Sequence, residues 1–151
     1  MRVFIDTNLF AEYIFERAQS ASVQKIFQAI EEKRIDAFTS SASIYTMAYI
    51  SEQMLKRKGI HQPELTNQVR KIIESLLQLV QIGNIEHSDM MIGVNDASFS
   101  DIEDSFQYQC ALKNGCNCLI TINTKDFSNA DADSESMKVI TPNDFANIYL
   151  I

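Results

Sequence analysis

Glycine and proline are scarce in this chain, with four and two residues among 151. So few turn formers leave little room for long structureless loops and predict that most of the chain is regular structure. No apolar run approaches the roughly 18 residues needed to cross a bilayer. The amino terminus passes from Met1-Arg2 into Val3-Phe4-Ile5 and stops at Asp6. A secretory apolar segment is longer and does not end on an acid, so the cytoplasm is the simplest location. The cysteines are only Cys110, Cys116 and Cys118. Their odd number and missing second ligand pair argue against a disulfide framework and a structural zinc. All three are expected to be reduced, with Cys110 and Cys118 packed. His61 and His87 are far apart, and neither lies in a metal-binding motif. Also missing are a glycine-rich phosphate loop, a histidine placed as a general acid, and a nucleophile paired with its base. Positive charge is in the minority, 13 lysines and arginines against 20 acids, for a net charge of −7. That balance argues against broad, nonspecific binding to a polyanion. The densest basic run, Lys56-Arg57-Lys58, reads as a solvated helix end.

What is present is alternation. The length suits one domain spanning residues 1–151 with a sizeable core. Arg2 to Ile5 reads as a short buried strand. Helical periodicity follows from about Leu9 to Ile14 and again from Ala21 to Ile30, ending at Glu31-Glu32-Lys33-Arg34. Ile35 to Thr39 is a second strand. Ser40, Ser41 or Ser43 caps a helix through Leu55, and Gly59 is its stop signal. Pro63 to Leu77 reads as helical and Leu79 to Ile85 as a third strand that Gly83 weakens. Ser88 is expected to cap a short helix. Ser100-Asp101-Ile102-Glu103 has the form of a capping box, opening a helix that ends near Gly115 and is anchored by Ile102, Phe106 and Cys110. Cys118 to Ile122 is a fourth strand, followed by a short turn at Asp126. Lys138 to Thr141 is a fifth, and Pro142 begins a terminal helix. The polar stretch from Asn129 to Ser136 reads as a surface loop. The expected fold class is α/β, a three-layer sandwich with a mostly parallel sheet of about five strands flanked by helices.

Against that frame the acids fall in a pattern. Asp6 lies where the first strand meets its helix, and ligands of open α/β sheets collect at the carboxyl ends of strands. It can reach a hard cation there, or simply cap the helix. Asp101 and Asp104 are three apart at a helix start, so they share a face and meet the positive end of the dipole. They can bind a metal or its waters, or be ordinary acidic decoration of a helix terminus. Glu103 better fits the reciprocal capping role. Thr121, Asn123 and Asp126 follow the fourth strand as Asp6 follows the first. Asn123 can offer a neutral oxygen or hold a carboxylate, and Asp126 can complete the shell or cap its turn. Carboxylates converging from distant segments suit Mg²⁺ or Mn²⁺ and metal-dependent phosphodiester hydrolysis, in which the ion orients the phosphodiester and activates a water.

The motifs Val3-Phe4-Ile5-Asp6-Thr7-Asn8, Asp101 to Tyr108, Ile120 to Phe127, and Val139-Ile140-Thr141-Pro142 with Phe145 occur in order and end to end. Together they resemble the PIN-domain family of metal-dependent ribonucleases. The resemblance implies a parallel sheet of about five strands, frequent homodimers, and for many small prokaryotic members the toxin half of a toxin–antitoxin pair that cleaves RNA. It implies Asp6 and Asp104 as the central metal residues, with Asp101 and Asp126 as additional acids. Asn123 stands where an aspartate is frequent, and Asn8 supports Asp6. The family's glutamate on the helix after the second strand is missing; Thr46 falls closest to its place and offers a neutral hydroxyl. Two functions follow as expectations. One is an Mg²⁺- or Mn²⁺-dependent endoribonuclease with an antitoxin partner. The other is a catalytically silent PIN-like domain that binds a protein or nucleic acid.

Overall fold

The computed structural model describes residues 1–17, 20–127 and 137–151. In chain order, β1 is Arg2–Ile5, α1 Thr7–Phe15, α2 Ser20–Glu31, β2 Asp36–Ser40, α3 Ser41–Arg57, α4 Glu64–Leu79 and β3 Gln81–Gly83. Then come α5 His87–Val94, α6 Ile102–Lys113, β4 Cys118–Ile120, a 3₁₀ turn Thr124–Phe127, β5 Lys138–Ile140 and α7 Pro142–Tyr149. The five strands are ordered β3-β2-β1-β4-β5, and every pairing is parallel. The expected α/β sandwich is the observed one. The polar stretch at 129–136 lies outside the described residues.

The centre of the sheet explains the apolar opening of the chain. β1 is flanked on both sides, pairing Val3 with Ala37 of β2 and with Cys118 of β4. A parallel strand covered by helices on both faces must be apolar at successive positions, and Val3, Phe4 and Ile5 are all fully buried. Because side chains alternate between faces, the three divide. Val3 and Ile5 join Leu9, Phe10, Ile26, Phe27 and Phe145 in the larger core under α1, α2 and α7. Phe4 joins Tyr108, Cys110, Leu119 and Phe127 in the core under α6. Truncating a buried phenylalanine such as Phe4 to alanine costs about 3–5 kcal/mol.

The boundaries shift where a cap or a close approach decides. α1 starts at Thr7, before the expected Leu9, because Asp6 accepts the Thr7 N–H at 2.7 Å. Ser40, Asp6 and Thr141 each end or follow a strand and cap the next helix, so β1, β2 and β5 pass into helices with no intervening loop. β3 has three residues, shorter than expected, because α4 persists to Leu79. Gly83 makes a close approach there: a Cβ would sit 2.7 Å from the Asn114 amide nitrogen, so that side chain would have to move. Ser88 is not the cap of α5. Glu86 takes that position, with Asp89 accepting the Glu86 N–H at 2.8 Å in a capping box. Likewise Asp101, not Ser100, caps α6 by accepting the Glu103 N–H at 2.8 Å, and the reciprocal role expected of the Glu103 carboxylate does not arise. Ile102, expected to anchor α6, is more than half exposed, and the helix is held by Ser105, Tyr108, Cys110 and Ala111.

All three cysteines are free and buried, Cys116 as well as the two expected. Lys56, Arg57 and Lys58 are exposed as expected, with Lys56 paired to Glu52 at 2.6 Å. Among the described residues no helix is long and apolar enough to cross a membrane.

Candidate metal and catalytic site

The strand order places the site. From β1 the chain builds outward through β2 and β3, then returns to β1's other side for β4 and β5. The seam between β1 and β4 is therefore the point where the winding reverses, and the carboxyl ends of strands at such a point form a ligand crevice. Asp6 and Thr121 follow those two strands. Across the seam Thr121 Oγ1 donates to Asp6 Oδ2 at 2.6 Å, and Asn8 Nδ2 donates to the same oxygen at 3.0 Å. Asn8 also reaches Thr121 Oγ1 at 3.1 Å and accepts from the Ile122 N–H at 3.3 Å. With Thr7 N–H on Oδ1, the Asp6 carboxylate is fixed at both oxygens. It caps α1, one of the two roles open to it in sequence, from a position at the carboxyl end of β1.

Burial pushes the Asp6 carboxyl's proton affinity up. The hydrogen bonds from Thr121, Thr7 and Asn8 pull it down, while the Glu103 charge adds to the rise. Asp104 shows the same effect from a more open position. Its carboxyl is pushed up to about 7, first by desolvation, then by the charges of Asp6, Asp101, Asp126 and Glu103. The fold thus brings acids from three segments, the start of α1, the start of α6 and the 3₁₀ turn, into one field at Asp104.

The predicted residues are not all equivalent in this field. Asp101 is exposed and spends one oxygen on capping α6, though its charge still reaches Asp104. Asp126 is exposed in the 3₁₀ turn. Asn123 is exposed, and its backbone N–H is held by Thr121 Oγ1 at 3.1 Å. Thr46 is half-buried on α3, one turn beyond Ser43, and the bonds that orient Asp6 are made without it. Among the described residues no three histidine, cysteine or acidic side chains already converge as a cation site. The donor chemistry nevertheless fits a hard divalent ion: every candidate ligand is an oxygen, and the mutual repulsion that lifts Asp104 is what a cation would relieve.

A second set of residues, of which Ser40 and Ser43 were expected only as helix caps, was not read from sequence as part of the site. Ser43 Oγ receives a hydrogen bond from Gln107 Nε2 at 2.7 Å and one from Thr7 Oγ1 at 2.8 Å. Gln107 also reaches Thr7 Oγ1 at 3.3 Å, and Ser40 Oγ lies 3.2 Å from Ser43 Oγ. This buried neutral network ties α6, α3 and the start of α1 together directly behind Asp6. The available signal was spacing, since Gln107 lies three residues after Asp104 on the same helix face.

The comparisons bear on the family and the fold. The PIN domain family profile matches residues 2–125. Over 149 residues the chain is 30% identical to Ribonuclease VapC1 of Aquifex aeolicus (strain VF5), covering 95% of this chain and 92% of that protein. Among solved structures, VapBC2 from Rickettsia felis, bound to a DNA fragment from its promoter, contains a similar chain. The TM-score is 0.65 at 13% identity, over 93% of this chain and 98% of that one. VapBC-1 from nontypeable Haemophilus influenzae contains another, with a TM-score of 0.62 at 16% identity, over 95% and 99%. At these identities the structures speak for the fold.

Proposed function

Because the chain belongs to the PIN domain family, we propose that it is an Mg²⁺- or Mn²⁺-dependent endoribonuclease, the toxin of a toxin–antitoxin pair. The observation that carries this reading is the uncompensated negative field at Asp104, whose carboxyl is lifted to about 7 by burial and four neighbouring acids. Such a concentration of perturbed acids at a strand-end crevice marks a functional site. The likeness to Ribonuclease VapC1 supports RNA as the substrate, and the fold shared with the VapBC chains agrees with a dedicated protein partner.

Asp6 and Asp104 would hold the ion, with Asp101 and Asp126 adding charge around it. Once bound, the ion would orient the scissile phosphate and supply a water acidic enough to attack at neutral pH. The protein's own work is orientation. Thr7, Asn8 and Thr121 keep Asp6 in one rotamer, and the Ser43–Gln107 network fixes Thr7. Without an ion the Asp104 carboxyl is pushed up to about 7, so the ion would bind with displacement of its proton. The N-termini of α1 and α3 end at the same sheet edge, where their dipoles favour an approaching phosphate.

Calorimetric Mn²⁺ titration of the natural chain and of an Asp6→Asn, Asp104→Asn double variant tests the site. RNA cleavage assays of both proteins test the activity. Saturable binding and metal-dependent cleavage, both lost in the double variant, are expected. Two folded proteins that neither bind Mn²⁺, with or without RNA, nor cut RNA would end the reading.

One observation favours a second reading. With Thr46 in place of a carboxylate on α3, and no three acids already converged, the site has fewer charges to hold an ion. A PIN domain that binds a protein or RNA without cutting it accounts for that deficit. Partner binding that survives loss of Asp6 and Asp104, with no cleavage by the natural chain, would establish it.

A further inference from the structure

Beside the acids lies a cavity of about 230 Å³ between the start of α3, the end of β3 and one face of α5 and α6. We infer that it is a nucleobase subsite, suited to a base that presents adjacent N–H donors on its pairing edge, guanine above all. The inference rests on the ribonuclease reading and narrows its substrate.

Size and lining select the occupant. The volume falls below the roughly 300–1,000 Å³ of pockets for drug-sized ligands, so it suits one heterocycle and not a whole nucleotide. Ile85, Met90 and Phe106 give it apolar and aromatic walls. No lysine or arginine lines it, so a phosphate has no counterion there. A base taken out of a stack needs such surroundings: apolar contact for its faces and hydrogen bonds for its edge. Glu103 lines the cavity and is exposed, which puts it at the mouth, whereas buried Gln107 closes the inner end. An ionised carboxylate only accepts hydrogen bonds. Guanine offers it two neighbouring donors, N1–H and the N2 amine. Uracil offers one N–H between two carbonyl oxygens, which the carboxylate repels.

The cavity also joins the site. Gln107 Nε2 donates to Ser43 Oγ at 2.7 Å and Thr7 Oγ1 at 3.3 Å, and the Thr7 N–H holds Asp6 Oδ1 at 2.7 Å. The inner wall of the base site is thus hydrogen-bonded to the residue that orients Asp6. A base seated there would bring its own backbone to the acids, and the same tether would hold the cavity's shape.

The test reads base binding without relying on cleavage. The chain has six methionines, so methyl-labelled methionine gives few NMR signals, and Met90 is assigned with Met90→Leu. Guanosine, cytidine, adenosine and uridine are titrated into the full chain to millimolar concentration. Guanosine should shift the Met90 methyl saturably and bind roughly five- to a hundredfold more tightly than uridine. Ala42→Phe, which fills the cavity, should abolish the shift. Glu103→Gln, at an exposed position, leaves the fold intact and should remove the preference for guanosine. A Met90 methyl that ignores every nucleoside, or responds equally to guanosine and uridine, overturns the inference. Sequencing of the ends left on a random RNA pool separates the two claims. Cutting without any base enrichment and without a Met90 response leaves the nuclease and removes the subsite. A selective Met90 response with no cutting leaves a base-binding cavity and removes the nuclease.

Discussion

The hydroxyl of Thr121 donates to Asp6 Oδ2 at 2.6 Å, joining residues 115 apart in the chain. The bond spans the seam between β4 and β1 and holds a buried carboxylate where the winding of the sheet reverses. It is also the largest of the interactions that offset the effect of burial on Asp6.

Thr121→Val keeps the shape of the side chain and removes the donor. One oxygen of a buried carboxylate then loses its shortest hydrogen bond, which costs about 1–3 kcal/mol. Urea denaturation should show that loss as a lower midpoint with an unchanged slope. An unaltered midpoint would mean that Asn8 and Thr7 hold Asp6 without help.

The pH dependence of stability follows from Asp104. Its carboxyl lies at about 7 in the folded protein against an ordinary 3.8. Between those values the folded state binds more protons than the unfolded state, so the metal-free protein loses stability as pH rises through the window and levels off above it. Asp6, also raised, contributes with the same sign. Melting temperatures from about pH 4 to about pH 8 should therefore fall for the natural chain and much less for Asp104→Asn. On the proposed metal site, Mn²⁺ would favour the ionised acids, so it should raise the melting temperature more at the alkaline end. A flat profile for the metal-free natural chain would contradict the clustering of charge at Asp104.

Thr46→Glu returns a carboxylate to α3. If α3 faces the ion there, Mn²⁺ affinity should rise by about tenfold or more, roughly 1.4 kcal/mol or above. The metal-free protein should lose stability, because the added charge joins an already repulsive field. Calorimetry and thermal denaturation check the two effects together. Unchanged Mn²⁺ affinity would show that the ion is held without α3.

The thiols of Cys110 and Cys116 are pushed up to about 11 and about 12, chiefly by burial. The thiolate is the reactive form, so both should resist a thiol reagent at mildly alkaline pH in the folded state. All three buried cysteines should react together on unfolding. Rapid labelling of Cys110 in native protein would mean that the α6 face of the sheet opens.

Much of the fold was legible because its signals are local. Val3-Phe4-Ile5 read as a short buried strand and Pro142 after Thr141 as a helix start, and both are so. Caps were legible as a class but not always to the residue. Ser88 and Glu86 both suit the start of α5, and the reciprocal bond with Asp89 favours Glu86. The site was legible as a set of acids at element ends. Ser43 and Gln107 were not, because neither residue type marks itself as functional and their 2.7 Å bond joins positions 64 apart.

By itself, then, the sequence determined the order and type of the strands and helices to within a few residues of their ends, and that Asp6, Asp101, Asp104 and Asp126 fall at or near element ends. Periodicity and capping act within a few residues, so they can be read from neighbours alone. Tertiary structure decided which ends meet. Packing helices on both faces of the sheet put β1 beside β4, and so Thr121 beside Asp6. The burial and convergence of charge that lift Asp104 exist only once those distant segments share one crevice, because desolvation and Coulomb repulsion depend on distance through space and not on separation along the chain.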